Sequence, residues 1–134
     1  MEKYFKLYAN YCLLENREPS SIGEFCRASN LDTEEFLTHF ASIEALRSGL
    51  LSSCLENLHN RLSKDEEFQE FSLRDQLMTY YFGIFEALMP YRNYLIQRYK
   101  AWKNVPDRKI EWHPFYREHV AFIDSLMQKA YTSG

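Results

Sequence analysis

Glycine and proline are scarce in this chain, with four of each among 134 residues. Turn-rich β architectures need more of both, and runs of β-branched residues are few. The composition therefore predicts an all-α fold. Cysteine is scarce as well. Cys12, Cys26 and Cys54 are odd in number and form no Cys-x-x-Cys pair, which argues against a disulfide framework or a zinc site. Each lies on an apolar helical stripe and reads as a small buried hydrophobe. No apolar run is long enough to span a bilayer. The opening MEKYFKLYANYC has Glu, Lys and Asn where a signal peptide would be apolar. A cytoplasmic protein without a membrane partner is expected. Gly-rich phosphate loops, HExxH and nucleophile elbows are missing, and His39, His59, His113 and His119 form no metal motif. No cofactor, metal or catalytic residue is expected, and the chain does not read as an enzyme.

What the chain has is apolar and aromatic side chains, 46% and 16% of its residues. That suffices for a core in one ordinary domain, or in a small head fused to a body. The richest stretch is Ser20 to Leu51, SSIGEFCRASNLDTEEFLTHFASIEALRSGLL. Ser21 with Glu24 three residues later makes a capping box. Ile22, Phe25 and Cys26 then share one helical face. Asn30 closes this helix, because Asn tolerates the left-handed conformation of a sharp turn. Asp32 reads as the next N-cap, with Glu35 completing a second box. Phe36, Leu37 and Phe40 line the second helix. Ser42 opens a third, with Ile43, Leu46, Leu50 and Leu51 as its buried stripe. Joints this tight also occur in generic three-helix packing units.

The spacing Phe25-Cys26, Asn30-Leu31, Phe36 is that of a helix-turn-helix, with a small residue at the helix crossing and a turn former four residues later. The ending HFAS-IEAL is a further signal. On these motifs residues 3–51 resemble the DNA-binding domain of TetR/AcrR-type transcriptional regulators. Several positions depart from the family pattern. Its turn Gly is Asn30 here, its small residue and Thr at the start of the recognition helix are Glu34 and Glu35, its Tyr is Leu37, and its Lys after the second short turn is Ile43. The resemblance implies a three-helix head over residues 1–48. A long helix would join it to a helical-bundle body over 49–134 for ligand binding and dimerisation. A homodimer would bind double-stranded DNA. Thr33, Thr38 and His39 are the polar contacts left on the recognition helix, Ser21 and Arg27 would hold phosphates, and Arg47, Lys3 and Lys6 would lie nearby.

Charge pulls the other way. Residues 1–51 carry five basic side chains and eight acidic ones, which accounts for the whole net charge of −3. Non-specific DNA affinity comes mainly from neutralised phosphates, so an acidic head should bind weakly and at low salt. Asp32, Glu34 and Glu35 cluster where a recognition helix meets DNA. As first-turn acids they also favour the helix dipole. A second reading follows: the TetR-like fold without DNA binding, serving as a lipid or small-molecule module or an adaptor.

Before the head, Glu2 to Glu15 reads as a helix ended by Asn16 to Pro19. After it, Ser42 to about Leu62 reads as one long helix. Ser72 caps the next helix, LRDQLMTYYFGIFEALM, whose apolar residues cover more than half its circumference. Pro90 breaks it, Asn104 to Pro114 reads as a loop, and a last helix starts at Phe115. The aromatics of this half suggest a pocket for a small apolar or aromatic ligand, with Tyr81, Phe85, Tyr94, Trp102 and Tyr116 as lining residues. They fit an aromatic core or a dimer interface as well. Arg92 and Arg98 would offer an anionic ligand a counter-charge, or be solvated or paired with Glu86 and Glu111. Gly83, which costs about 1 kcal/mol against Ala in a helix, signals either close helix approach or room for a ligand.

Overall fold

Two left-handed asparagines set the joints of the N-terminal half. Asn16 (φ 53°) ends α1 (Glu2–Glu15), and Asn30 (φ 55°) turns the chain between α2 (Ile22–Ala28) and α3 (Thr33–His39). At Asn30 the turn is closed by the Leu31 N–H, which donates to the Cys26 carbonyl at 2.8 Å. The computed structural model describes residues 2–103 and 112–133. Its remaining elements are α4 (Ile43–Lys64), α5 (Glu66–Glu70), α6 (Leu73–Leu88), a 3-10 turn at Met89–Tyr91, α7 (Arg92–Trp102) and α8 (His113–Ser133). No strand occurs among the described residues, so the fold is all-α as the composition requires.

Four helices begin on a side chain that accepts an otherwise orphaned backbone N–H. Ser21 Oγ accepts from the Glu24 N–H, Ser42 Oγ from that of Ala45, Asp65 from that of Phe68, and Ser72 Oγ from that of Asp75. Asp32 departs from expectation. Its backbone is extended at the N-cap of α3, but its side chain makes no cap hydrogen bond. The Ser21 box is half-formed too. Glu24 does not return to Ser21; it is held instead by Ser20, Tyr11 and Arg17. Those contacts, the Ser20 bond first, bring its carboxyl down to about 2. Pro90 lies in the 3-10 turn and breaks the helix, as its missing N–H dictates. Pro114 sits inside the first turn of α8, where proline is tolerated, and does not end a loop. Residues 104–111 of the expected loop lie outside the described residues.

The chain forms two compact units. The first comprises residues 1–50 and 91–111, so α1, α2, α3, the start of α4, and α7 belong together. Its core is aromatic: Phe36 sits edge-on to Phe25 at 5.8 Å and to Tyr4 at 5.7 Å, and Phe5 meets Phe40 at 5.7 Å. Such pairs add about 0.5–1.5 kcal/mol each beyond area burial. The second unit comprises residues 51–90 and 112–134. Leu55, Leu58 and Leu62 of α4 pack there with Phe68, Tyr80 and Leu126. The first segment of the first unit ends within α4 at Leu50, beside the boundary expected at residue 48. α7 goes with α1 because Tyr94 is buried against Tyr8, their rings 5.5 Å apart.

Gly83 is explained by packing. A Cβ there would lie 2.5 Å from Leu58 Cδ1, so the residue marks close approach of α6 to α4 and leaves no room for a ligand.

Candidate functional site

The joint at Asn30 leaves α3 standing on its aromatic side. Phe36 is fully buried, while Thr33, Glu34, Glu35, Leu37, Thr38 and His39 are exposed. Thr38 Oγ1 donates to the Glu35 carbonyl at 2.6 Å, and the His39 ring packs beside Tyr4 at 5.4 Å. Ser21 is exposed but occupied as a cap, and Arg27 is exposed at the end of α2. Thus Thr33, Thr38, His39, Ser21 and Arg27 all reach the surface of the head. Lys3 lies over the Tyr4 ring, and Lys6 pairs with Glu2 on the surface.

Arg47 does not join them. It is 3% exposed, and its Nη1 donates to Glu18 Oε1 at 2.5 Å. The reason is periodicity: Arg47 shares the inward face of α4 with Ile43, Leu46 and Leu50. Inside the unit, the charge demands a carboxylate, which Glu18 supplies. Tyr8 donates to the same oxygen at 2.6 Å. Burial alone would raise the Glu18 pKa, but the bonds from Tyr8 and Arg47 outweigh it and hold the carboxyl below its usual value. Burial, with Tyr94 and Cys12 beside it, pushes the Tyr8 phenol far up. Cys12 is pushed up to about 11, mainly by burial. Arg98 is also buried, with Nη2 donating to Gln97 Oε1 at 2.9 Å; Glu111, one of the partners the sequence offers it, lies outside the described residues. A cleft of about 320 Å³ opens above this cluster, between the starts of α2 and α4, with Glu18, Ser21, Ser42 and Arg47 in its lining. Sequence reasoning misses the cluster. Its only local signal is a charged residue on the apolar stripe of α4.

The five expected ligand residues are divided between the two units. Tyr94 is buried in the first unit, and α7 ends at Trp102, whose side chain lies outside the described residues. Tyr81, Phe85 and Tyr116 belong to the second unit and point largely to solvent. Leucines of α4 fill the inner side of α6.

The second unit holds a different polar group. The Tyr80 hydroxyl lies 3.1 Å from His59 Nε2 and 2.9 Å from His119 Nδ1. One hydroxyl proton serves two rings, so Tyr80 donates to one imidazole and accepts from the other. His59 stacks on Phe122 at 4.3 Å, and burial followed by the nearby His119 lowers its pKa. Beside it runs an open groove of about 580 Å³, lined by Glu56, His59, Asn60, Glu118, Ala121 and Phe122. No group of three or more metal-ligating side chains occurs among the described residues, and no described helix is long and apolar enough to cross a membrane.

No family model matches this chain, and no curated protein or solved structure matches it.

Proposed function

We propose that this chain is a TetR-like transcriptional regulator that reads double-stranded DNA through the exposed face of α3, as a homodimer, under control of a small apolar ligand. The observation that carries this reading is the joint at Asn30. A left-handed turn holds a short helix with one buried aromatic side and a polar outer side of Thr33, Thr38 and His39. Two such helices would address successive major grooves about one helical turn apart. Arg27 is the phosphate-binding cation of the head. Arg47 has no place at the DNA, being committed to Glu18. A ligand in the groove between α4 and α8 would favour one arrangement of the heads by population shift.

Fluorescence anisotropy with random-sequence and own-promoter DNA, at low and moderate salt, tests this. Tight promoter binding that weakens steeply with salt is expected. Arg27→Ala should weaken binding to every sequence and reduce the salt slope by about 1. Absence of binding at low salt from folded protein overturns the reading.

One observation favours a second reading. With Arg47 inside the head and Asp32, Glu34 and Glu35 outside, the surface around α3 is acidic. The fold would then be retained without DNA binding, as a lipid or small-molecule module or an adaptor. An apolar molecule co-purifying with the protein is expected in that case. A clean mass spectrum of the extracted protein counts against the lipid form of it.

A further inference from the structure

Three helices meet at one hydroxyl. Tyr80 of α6 is fully buried in the core of the second unit. Its oxygen lies 3.1 Å from His59 Nε2 on α4 and 2.9 Å from His119 Nδ1 on α8. Packing fixes the rings as well. His59 lies parallel to Phe122 of α8, with 5° between the planes, and His119 stacks on Tyr80 at 5.6 Å. The phenol carries one proton for two imidazoles. At neutral pH one ring donates N–H to the oxygen and the other accepts the O–H, so both rings are bonded. The arrangement closes α4, α6 and α8 on one another.

The number of protons decides what acid does to it. A first proton enters the donating ring at its other nitrogen, and both bonds survive. A second has to enter the accepting ring at the nitrogen that faces Tyr80. Both rings then donate to one oxygen, the phenolic O–H loses its acceptor inside the core, and two like charges sit across a single atom. The surroundings do not offset this. Glu56 of α4 and Glu118 of α8 border the adjoining groove, but both are exposed and screened by water. Arg61 of α4 faces α6 at Gly83, about one turn away, and adds positive charge. On α6 the neighbour is Tyr81, and α5 turns Phe68 inward with its glutamates outside. We infer that His59, Tyr80 and His119 form a pH-sensitive latch, which holds with one added proton or none and which the second proton releases, freeing α8 from α4 and α6 in mild acid. The latch rests on none of the DNA chemistry of the preceding reading, so the two fail separately.

Two measurements on the full chain test it. In a titration of the histidine ring protons by NMR, the His59–His119 pair should bind its second proton at least ~10-fold more weakly than its first. Amide hydrogen exchange read by mass spectrometry, corrected for the intrinsic effect of pH, should show α8 opening. The open form binds about one more proton than the closed form. The opening constant therefore rises about tenfold for each pH unit below the ordinary histidine value of about 6.5, while α1 peptides keep their protection. His59→Gln and His119→Gln each leave one titrating ring beside an amide that can donate or accept. Both should fold at neutral pH, as far-UV circular dichroism reports, and both should lose the acid dependence. A pair whose two protons bind alike overturns the latch. So does an α8 unchanged in acid, an α1 that opens in parallel, or acid opening that persists in either variant. If one variant does not fold, the other and the wild-type titration still decide.

Discussion

Arg47→Ala is expected to cost about 3 kcal/mol of stability, because removing one partner of a buried pair strands the other. A urea titration reads this as a lowered midpoint at unchanged slope. Its pair, Glu18, shows why this residue was hidden. Arg47 lies 29 positions from Glu18, and nothing local joins them. A lone arginine near the start of a helix in a helix-turn-helix-like segment reads as a phosphate contact until its partner is placed. Two titrating groups should also be separable by pH. Folded His59 binds its proton less readily than the unfolded residue. The unfolded chain therefore takes up more protons in the window between, and stability falls as pH drops below about 6.5. Glu18, also lowered, contributes stability that is present above the ordinary carboxylate value and lost as pH falls through the folded one. Acid unfolding should show both losses. His59→Gln, which keeps a polar group toward Tyr80 but does not titrate there, should remove the first and leave the second.

Among the elements, α6 gives the clearest test. Gly83→Ala gains about 1 kcal/mol in helix propensity, yet its new methyl meets buried Leu58. Overpacking of this kind costs about 1–3 kcal/mol, so a net loss near 1 kcal/mol is expected, measurable as a lower thermal midpoint. Helix existence was legible in the sequence because caps and apolar periodicity agree: Ser21, Ser42 and Ser72 all cap as their positions suggest. The turn at Asn30 was legible for the same local reason. Asp32 was not, since a carboxylate in the right place can still turn to solvent. Periodicity also says that a helix has a wide apolar face without saying which part is covered. That is why Phe85 and Tyr116 read as pocket lining and stand outside, while Tyr94 lies inside against an α1 residue far away in sequence.

For the whole molecule, contact geometry cuts across chain order. α4 contributes its first turns to one unit and the remainder to the other, and α7 returns to the first. A single head-then-body boundary was the natural sequence reading, because linear order is all that a string displays. The proposed homodimer has a thermodynamic signature. If two copies fold together, the urea midpoint should rise with protein concentration by mass action.

The three cysteines have a practical consequence. Cys12 and Cys26 are enclosed in the first unit and Cys54 in the second, all of them thiols. A thiol-specific reagent can reach them only when the surrounding structure opens. Labelling followed by peptide mass mapping would thus serve as a pair of native clocks, one ticking with each unit. Alkylation of Cys54 ahead of Cys12 and Cys26 would mean that the second unit opens while the first stays closed. Equal rates at all three would mean that the chain comes apart as one body.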